Sequence, residues 1–253
     1  MIYDLQKASM WKRISAFLFD GILLGIVAVL FAWLLSAALG YDGYHNALNA
    51  CYARYEEEYG VSFHMSLSEY EGMTEAQAQA LDAAYGALAA DAEAVYAYNM
   101  LIQLTMLITS IGILLGFLTM ELAVPLLFGN GQTLGKKIFG LGVMRTEGIK
   151  LSPVCLFIRT ILGKYTIETM VPVLILLLIY WGSLGLAGTL VLLLILAVQI
   201  VLLAVTRTNS LIHDLLAGTV VVDLASQMIF DTKEDMIAYK EKLHAEKVAR
   251  EAY

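Results

Sequence analysis

The chain has 253 residues, of which 59% are hydrophobic and 15% are charged, and its mean hydropathy is +0.71. A soluble domain of this length carries more charge and less apolar content, so these values exclude an ordinary soluble fold and indicate a protein that contacts the lipid bilayer. The net charge of −7, with no basic patch that carries interleaved aromatic residues, excludes nucleic acid as a partner.

Four apolar segments are long enough to cross about 30 Å of hydrocarbon as helices. They cover about residues 14–39, 100–128, 167–184 and 188–206. The last two come from one apolar run, which we divide at Gly182–Gly188 because its three glycines weaken a helix and favour a tight turn. The sequence therefore predicts an all-α membrane protein built on a four-transmembrane-helix bundle.

The positions of lysine and arginine predict the orientation of these helices. Fifteen of the sixteen lie in residues 1–13, 129–166 and 207–253, and only Arg54 lies in residues 40–99. The positive-inside rule places the three basic segments in the cytoplasm. We therefore expect a multi-pass protein of the cell membrane with both termini cytoplasmic.

The first predicted domain, residues 1–39, holds the cytoplasmic N-terminus and the first transmembrane helix. Residues 40–99 form an extracytoplasmic insert with ten acidic residues and one arginine. A capping-box pattern at Thr74–Gln77 and a helical stretch at Tyr44–Tyr59 predict that this insert is a helical hairpin. Its acidic surface is either a cation-attracting vestibule or a solvated insert. A second copy of the chain, or another membrane protein, is the partner expected there.

The third predicted domain, residues 100–223, contains the other three transmembrane helices and a small cytoplasmic subdomain. Within the cytoplasmic loop 129–166, residues 142–151 have the pattern of a short β-hairpin. Residues 218–223 form a strand that can pair with it. The last domain, residues 224–253, is predicted to be a charged cytoplasmic helical tail.

A short helix is predicted between the hairpin and the third transmembrane helix. Ser152 and Pro153 are typical of a helix start, as the N-cap and the first helical residue. We expect this helix to lie along the inner membrane interface, with Arg159 and Lys164 at the lipid headgroups.

Three of the four transmembrane helices carry a polar side chain at a similar predicted depth. Asp20 lies seven residues inside Arg13, and Glu121 lies seven residues before the inner end of the second helix at Phe128. Gln199 lies at the same level of the fourth helix. The helical rise of 1.5 Å per residue places all three about one third of the way from the cytoplasmic side.

An ionised carboxylate inside a bilayer costs about 2.5–3.5 kcal/mol and is kept when it faces the bundle interior and finds a partner. Asp20 and Glu121 could share a proton or, with Gln199, coordinate a monovalent cation. The alternative is that fixed cationic partners neutralise each carboxylate and the groups only hold the helices together.

The partners of two aspartates stay open at this point. Arg13, Arg159 or His213 could pair with Asp20 or with Asp214, and Asp214 could instead cap a short helix. The glycine pairs at positions 21 and 25 and at positions 112 and 116 both have the small-xxx-small spacing, which predicts a close approach between helix backbones, at the first pair next to Asp20.

Three elements occur in an order that resembles the RDD family of integral membrane proteins, which is named for one arginine and two aspartates. They are Arg13 with Asp20 in the first helix, residues 131–143 after the second helix, and residues 211–221 with Asp214 after the last. The resemblance implies a membrane protein for which a transport role has been suggested, in some members sodium–proton antiport. Residues 40–99 depart from the family pattern.

These observations lead to one main hypothesis and one alternative. The main hypothesis is cation or proton-coupled transport through the layer of Asp20, Glu121 and Gln199. The alternative is a non-transporting membrane scaffold or accessory protein. No catalytic motif, metal-ligand spacing or cofactor-binding motif occurs, so we expect a protein that is not an enzyme and binds no metal or cofactor.

Overall fold

The computed structural model describes residues 8–251. The elements in chain order are α1 (Met10–Leu39), α2 (Tyr41–Tyr59), α3 (Leu67–Glu71), α4 (Glu75–Ala90), α5 (Ala92–Phe128), α6 (Leu134–Ile138), β1 (Leu141–Arg145), α7 (Pro153–Tyr180), α8 (Gly185–Val205), α9 (Ile212–Ala217), β2 (Thr219–Asp223) and α10 (Lys233–Glu251). In this part of the chain α1, α5, α7 and α8 are long and apolar enough to cross a membrane. The predicted all-α membrane architecture with a small β element is confirmed.

The third of these helices begins earlier than the sequence predicted. The helix α7 starts at Pro153, where the Ser152 hydroxyl accepts a hydrogen bond from the Cys155 N–H group at 3.1 Å. It continues without interruption to Tyr180 and is wound more widely than an α-helix over Ile158–Met170. The expected interfacial helix is therefore wrong, because residues 153–166 form the first half of the transmembrane helix itself.

The turn between α7 and α8 lies where the glycines predicted it. Gly182 has a φ of +73°, a conformation that glycine adopts without steric cost. The N–H groups of Gly182 and Ser183 donate back to the carbonyls of Ile179 and Leu178, which ends α7. Two helices of ordinary length follow from this turn in place of one very long helix.

The chain divides into two units, and the division falls within α1 and α5. The insert unit is Ala32–Ile111. Its small core holds Leu48 and Cys51 of α2 against Ala94, Ala97 and Leu101 of α5. The Thr74–Gln77 capping box predicted for the start of α4 is present.

The predicted helical stretch after Thr74 is broken at Asp91. This residue has an extended backbone, and its carboxylate accepts hydrogen bonds from the N–H groups of Glu93 and Ala94. Asp91 thus caps the start of α5 in the usual manner of an N-cap aspartate. The second long helix consequently begins at residue 92, ahead of the predicted position near residue 100.

The core unit comprises the described residues of 1–31 and 112–253. Its sheet consists of β1 and β2, which pair antiparallel from Leu141 opposite Asp223 to Arg145 opposite Thr219. The Thr146–Gly148 turn and a bridge between Met144 and Lys150 complete the predicted hairpin. Apolar side chains bury both faces of this sheet.

Large apolar side chains stay exposed along α1 and α8. On α1 these include Phe17 at 67%, Ile22 at 66% and Val29 at 69%. Such a continuous apolar surface is costly in water and suits contact with acyl chains. The exposure pattern therefore agrees with helices that span a bilayer.

Of the glycines expected to let helices approach closely, Gly116 does so, whereas Gly21 and Gly25 do not. A methyl group built at either Gly21 or Gly25 meets no atom within 4 Å, so that expectation is wrong. Gly116 of α5 does approach α1, since its built methyl lies 3.3 Å from the Ala28 Cβ atom. Gly163 is tighter, because a methyl there would lie 2.5 Å from the Cβ and 2.6 Å from the Cα atom of His213.

We predict that Gly163→Ala destabilises the protein by roughly 1–3 kcal/mol, because the added methyl overlaps the backbone of α9. Gly25→Ala is the matched control, since it adds the same methyl to a transmembrane helix in open space. Thermal unfolding in detergent measures both variants. Equal midpoints for the two would contradict the close contact between α7 and α9.

Candidate functional site

The core unit brings the three predicted residues to one cavity. Asp20 of α1, Glu121 of α5 and Gln199 of α8 all line a space of about 340 Å³, here called cavity B. Asp20 is 7% exposed and Glu121 is 6% exposed. The Gln199 Oε1 atom is buried and accepts no hydrogen bond from any described residue. The predicted meeting of three polar groups from separate helices is thus present in the structure.

The partners of Asp20 come from the start of α6. Its carboxylate accepts hydrogen bonds from the Thr133 hydroxyl and from the Gly135 N–H group, the latter at 2.7 Å. The Lys136 Nζ atom lies 3.9 Å from the Asp20 Oδ2 atom and donates to the Thr133 hydroxyl at 3.0 Å. Within the described residues Asp20 makes no ion pair with the three cations considered from sequence, Arg13, Arg159 and His213, which pair with other carboxylates. The counterion of Asp20 is therefore Lys136.

Gly135 is required by the close approach of α6 to α1. A methyl group at this position would lie 2.5 Å from the Ala16 carbonyl oxygen and 2.9 Å from the Asp20 Cγ atom. Thr133 caps α6 through its hydroxyl, which accepts from the Lys136 N–H group. The stretch 133–136 is therefore a binding loop for the Asp20 carboxylate.

Glu121 is held by α7. Its carboxylate lies 2.5 Å from the Lys164 Nζ atom, and the Thr160 hydroxyl donates to its backbone carbonyl at 3.0 Å. The carbonyl lies in the segment Leu118–Ala123, where α5 is wound widely. Wide turns of this kind are rare and occur often at functional sites. Lys164 is 12% exposed, so the expected contact with lipid headgroups is wrong.

Arg159 and Asp214 form the most deeply buried ion pair of the site. The guanidinium donates to the Asp214 Oδ1 atom through Nε at 3.0 Å and through Nη2 at 2.8 Å. Arg159 is 2% exposed and Asp214 is 1% exposed. Burial alone would raise the pKa of Asp214, but the charge of Arg159 outweighs burial and holds the pKa well below its usual range. Arg159 is thus buried against Asp214 within the protein, and the expected contact with lipid headgroups is wrong.

Asp214 does not cap α9, contrary to one of the two expectations. Leu211 precedes the helix and makes no side-chain cap. The other expectation holds in weaker form, because the Arg13 Nη2 atom lies 3.7 Å from the Asp214 Oδ2 atom. That oxygen accepts no hydrogen bond from residues 8–251. Two of the three residues that carry the family resemblance, Arg13 and Asp214, therefore face each other, and Asp20 binds a separate loop.

His213 joins this ion pair to α7. Its Nε2 atom lies 3.1 Å from the Arg159 guanidinium, and its Nδ1 atom lies 2.7 Å from the Glu168 carboxylate. A guanidinium can only donate and a carboxylate accepts, so Nε2 carries the lone pair and Nδ1 carries the proton. Burial lowers the pKa of His213; the Asp214 carboxylate opposes this shift and the charge of Arg159 adds to it. Nε2 also lies 3.5 Å from the Asp214 Oδ2 atom, but the Arg159 guanidinium is closer. The geometry therefore favours a neutral imidazole with its proton on Nδ1.

The cluster balances its charge internally. It contains four carboxylates and four fixed cations, which are Asp20, Glu121, Glu168 and Asp214 with Arg13, Lys136, Arg159 and Lys164. Lys136 is the cation of this set whose pKa lies near neutrality. Burial, followed by repulsion from Lys164, lowers the pKa of Lys136 to about 7. One of the four cations can therefore lose its charge near neutral pH.

A second space, cavity A, adjoins the same residues and measures about 250 Å³. Arg13, Lys136, Arg159 and Asp214 line only cavity A, whereas Glu168 and Gln199 line only cavity B. Asp20, Glu121, Lys164 and His213 line both. These shared groups lie at the boundary between the two spaces, so Asp20 faces both cavities while its partner Lys136 lies on the side of cavity A.

Sequence reasoning missed several members of this site. Glu168 was not among the predicted site residues. It is a carboxylate at the edge of an apolar run, which is the same kind of feature that identified Asp20. Lys136 lies in the cytoplasmic loop 129–166 and was given no role. The Thr133 cap was a detectable sign of a helix start. No local signal shows that the loop returns to α1.

We predict that Arg159→Ala lowers the free energy of unfolding by about 3–5 kcal/mol, because it leaves Asp214 charged, buried and without its main counterion. Lys12→Ala is the control. It removes an exposed ion pair with Asp223, in which Lys12 is 45% exposed, and exposed pairs contribute less than about 1 kcal/mol. Denaturant or thermal unfolding in detergent measures both. Similar losses would show that burial of the Arg159–Asp214 pair is energetically unimportant.

We also predict that His213 stays neutral, with its proton on Nδ1, as the pH falls through 6.5, the ordinary pKa of a histidine. Nitrogen-15 chemical shifts of the imidazole distinguish the tautomers and the charged form, and the spectrum of His213→Gln assigns the signal. A half-protonated His213 at that pH would contradict the proposed hydrogen bond from Arg159.

Comparison with known families supports the architecture. A family model described as the RDD family matches residues 7–218, which is most of the chain. Searches among curated proteins and among solved structures found no match. The matched region includes Arg13, Asp20 and Asp214 together with the four long apolar helices. The chain therefore belongs to the RDD family and is a multi-pass membrane protein.

Proposed function

We propose that this RDD-family protein exchanges a monovalent cation for a proton across the cell membrane, and that the exchange takes place at Asp20. The observation that carries the proposal is the pair formed by Asp20 and Lys136. The pair is buried, yet its charged atoms are 3.9 Å apart, beyond hydrogen-bonding distance. A cation that reaches Asp20 therefore competes with a weakly held ammonium.

The competition couples cation binding to proton release. The pKa of Lys136 is lowered to about 7, so the ammonium gives up its proton at little cost near neutral pH. Loss of this proton leaves Asp20 without a counterion. A monovalent cation can then restore the charge balance, and reprotonation of Lys136 expels it. Each cation bound thus corresponds to one proton released.

Oxygen ligands for such a cation are available around Asp20. Glu121 lines the same two cavities, although Lys164 holds its carboxylate at 2.5 Å. Gln199 lines cavity B, and its buried Oε1 atom accepts no hydrogen bond from the part of the chain that the structure describes. Carboxylate and amide oxygens suit hard cations. Asp20, Glu121 and Gln199 are therefore the proposed ligands.

One observation favours a second candidate function. Asp20, Glu121 and Asp214 each have a cationic partner, and Glu168 is held by a hydrogen bond from the neutral His213. These contacts connect α1, α5, α6, α7 and α9. Groups arranged in this way can simply fix helices to one another. A non-transporting scaffold or accessory protein, with residues 40–99 binding a second copy or another membrane protein, is the function that would use such a bundle.

We also propose an orientation for the protein in the membrane. Both termini and the α6–β1 region lie in the cytoplasm by the distribution of lysine and arginine, and residues 40–99 lie outside. The protein is proposed to be a transporter without enzymatic activity.

We predict that Lys136→Arg abolishes sodium-dependent proton flux in reconstituted vesicles. Arginine keeps the positive charge beside Asp20 but does not release its proton near neutral pH. In the wild type, the apparent affinity for sodium should weaken about tenfold between about pH 8 and about pH 6, as the protonated fraction of Lys136 rises. A pH-sensitive dye inside the vesicles reports the flux.

Lys137→Arg is the matched control, because Lys137 is the exposed neighbour and its ammonium lies over the Phe128 ring. Asp20→Asn should also stop the flux. If Lys136→Arg and Asp20→Asn both fold and transport like the wild type, exchange at this site is wrong. If wild-type vesicles show no flux under any cation gradient, the scaffold function is favoured.

A further inference from the structure

The insert unit carries an unbalanced negative charge that the core unit lacks. Residues 40–99 include ten acidic residues and one arginine. That arginine, Arg54, is already engaged by the Asp91 carboxylate. The insert therefore has no cation of its own to neutralise its other carboxylates.

One cavity of the insert unit combines this charge with aromatic rings. It measures about 470 Å³ and is formed where the end of α1 and the first turns of α2 meet the start of α5. Tyr44 and Tyr96 form one wall, with ring centroids 6.1 Å apart and planes at 64°. Glu93 lies beside them. Its carboxylate makes no hydrogen bond or ion pair within the described part of the chain.

The floor of this cavity is made of small residues. Gly40, Gly43, Ala47 and Ala97 line it, and a methyl group built at Gly40 or Gly43 meets nothing within 4 Å. The described side chains therefore leave this cavity unfilled, and it has space for a ligand. Tyr44 is preorganised, because it packs against the buried cluster of the insert unit.

We propose that this cavity binds an organic ammonium cation. Tyrosine rings attract cations through their negatively charged faces, and a nearby carboxylate adds a charge partner. A strongly hydrated inorganic ion gains little from aromatic rings, whereas a methylated or alkyl ammonium also buries apolar groups against the glycine and alanine floor. This site is separate from the proposed exchange site and does not depend on it.

The position of the cavity allows two sources for the ligand. Leu39, which lines it, is the last residue of a helix long enough to span the membrane. Tyrosine favours this boundary between hydrocarbon and water. The ammonium group could therefore belong to a soluble compound or to a lipid headgroup such as choline.

The test uses the full-length protein in detergent and tetramethylammonium chloride as the probe, with sodium chloride at equal ionic strength as the reference. Tyrosine fluorescence should change in a saturable manner with tetramethylammonium only. Glu93→Gln and Tyr96→Leu should each weaken the apparent affinity by about fivefold or more. Glu75→Gln, which removes an exposed carboxylate at the start of α4, should not.

Gly43→Leu provides a second test that does not remove any charged or aromatic group. Its side chain should occupy the cavity floor and abolish the response, while Gly86→Leu, at an open position on α4, should leave it intact. Circular dichroism confirms that each variant is folded. A response to sodium equal to that of tetramethylammonium, or unchanged binding by Glu93→Gln, would overturn the proposal.

Reconstitution then identifies the source. If phosphatidylcholine vesicles compete with the probe and phosphatidylglycerol vesicles do not, the ligand is a lipid headgroup. If neither competes and the probe still binds with the same variant pattern, the ligand is soluble. Loss of probe binding in both vesicle types would overturn the site as one that exists in a membrane.

Discussion

The ion pair between Arg159 and Asp214 is the interaction on which the core unit depends. Both side chains are almost fully removed from solvent, and the guanidinium makes two hydrogen bonds to one carboxylate oxygen. Removing two charges from water costs several kcal/mol per ion, which only close geometry and further hydrogen bonds can offset. His213, Arg13 and Thr219 supply those further contacts. The pair therefore determines how α1, α7, α9 and β2 must be arranged.

The remaining charges extend this arrangement outward from the pair. His213 donates a hydrogen bond from Nδ1 to the Glu168 carboxylate. The ion pair between Lys164 and Glu121 joins α7 to α5. Asp20 differs from the others, because two of its partners are neutral donors and its ammonium partner is distant. A cluster with one loosely paired carboxylate is suited to exchange at that position, while its tightly paired members stay in place.

The layer formed by Asp20, Glu121 and Gln199 could be predicted because helical rise converts residue counts into depth, and depth brings groups on separate helices to one level. The start of the transmembrane helix α7 at Pro153 could not be predicted in this way. Arg159, Lys164 and Glu168 lower the hydropathy of its first half, and composition does not reveal that each of them is held by a polar group far away in sequence. The Asp20 partner was missed for a related reason, since a return of the loop 133–136 to α1 leaves no periodic pattern in the chain.

The contact between Asp20 and the loop at Thr133–Lys136 joins positions more than a hundred residues apart. Ribosomal synthesis delivers α1 to the bilayer long before this loop exists, and Arg159 before Asp214. A nascent chain thus carries uncompensated charge in its early helices until the segment after α8 is made. Packing of the bundle is therefore completed late, by the segment after α8, which is about the last fifth of the chain.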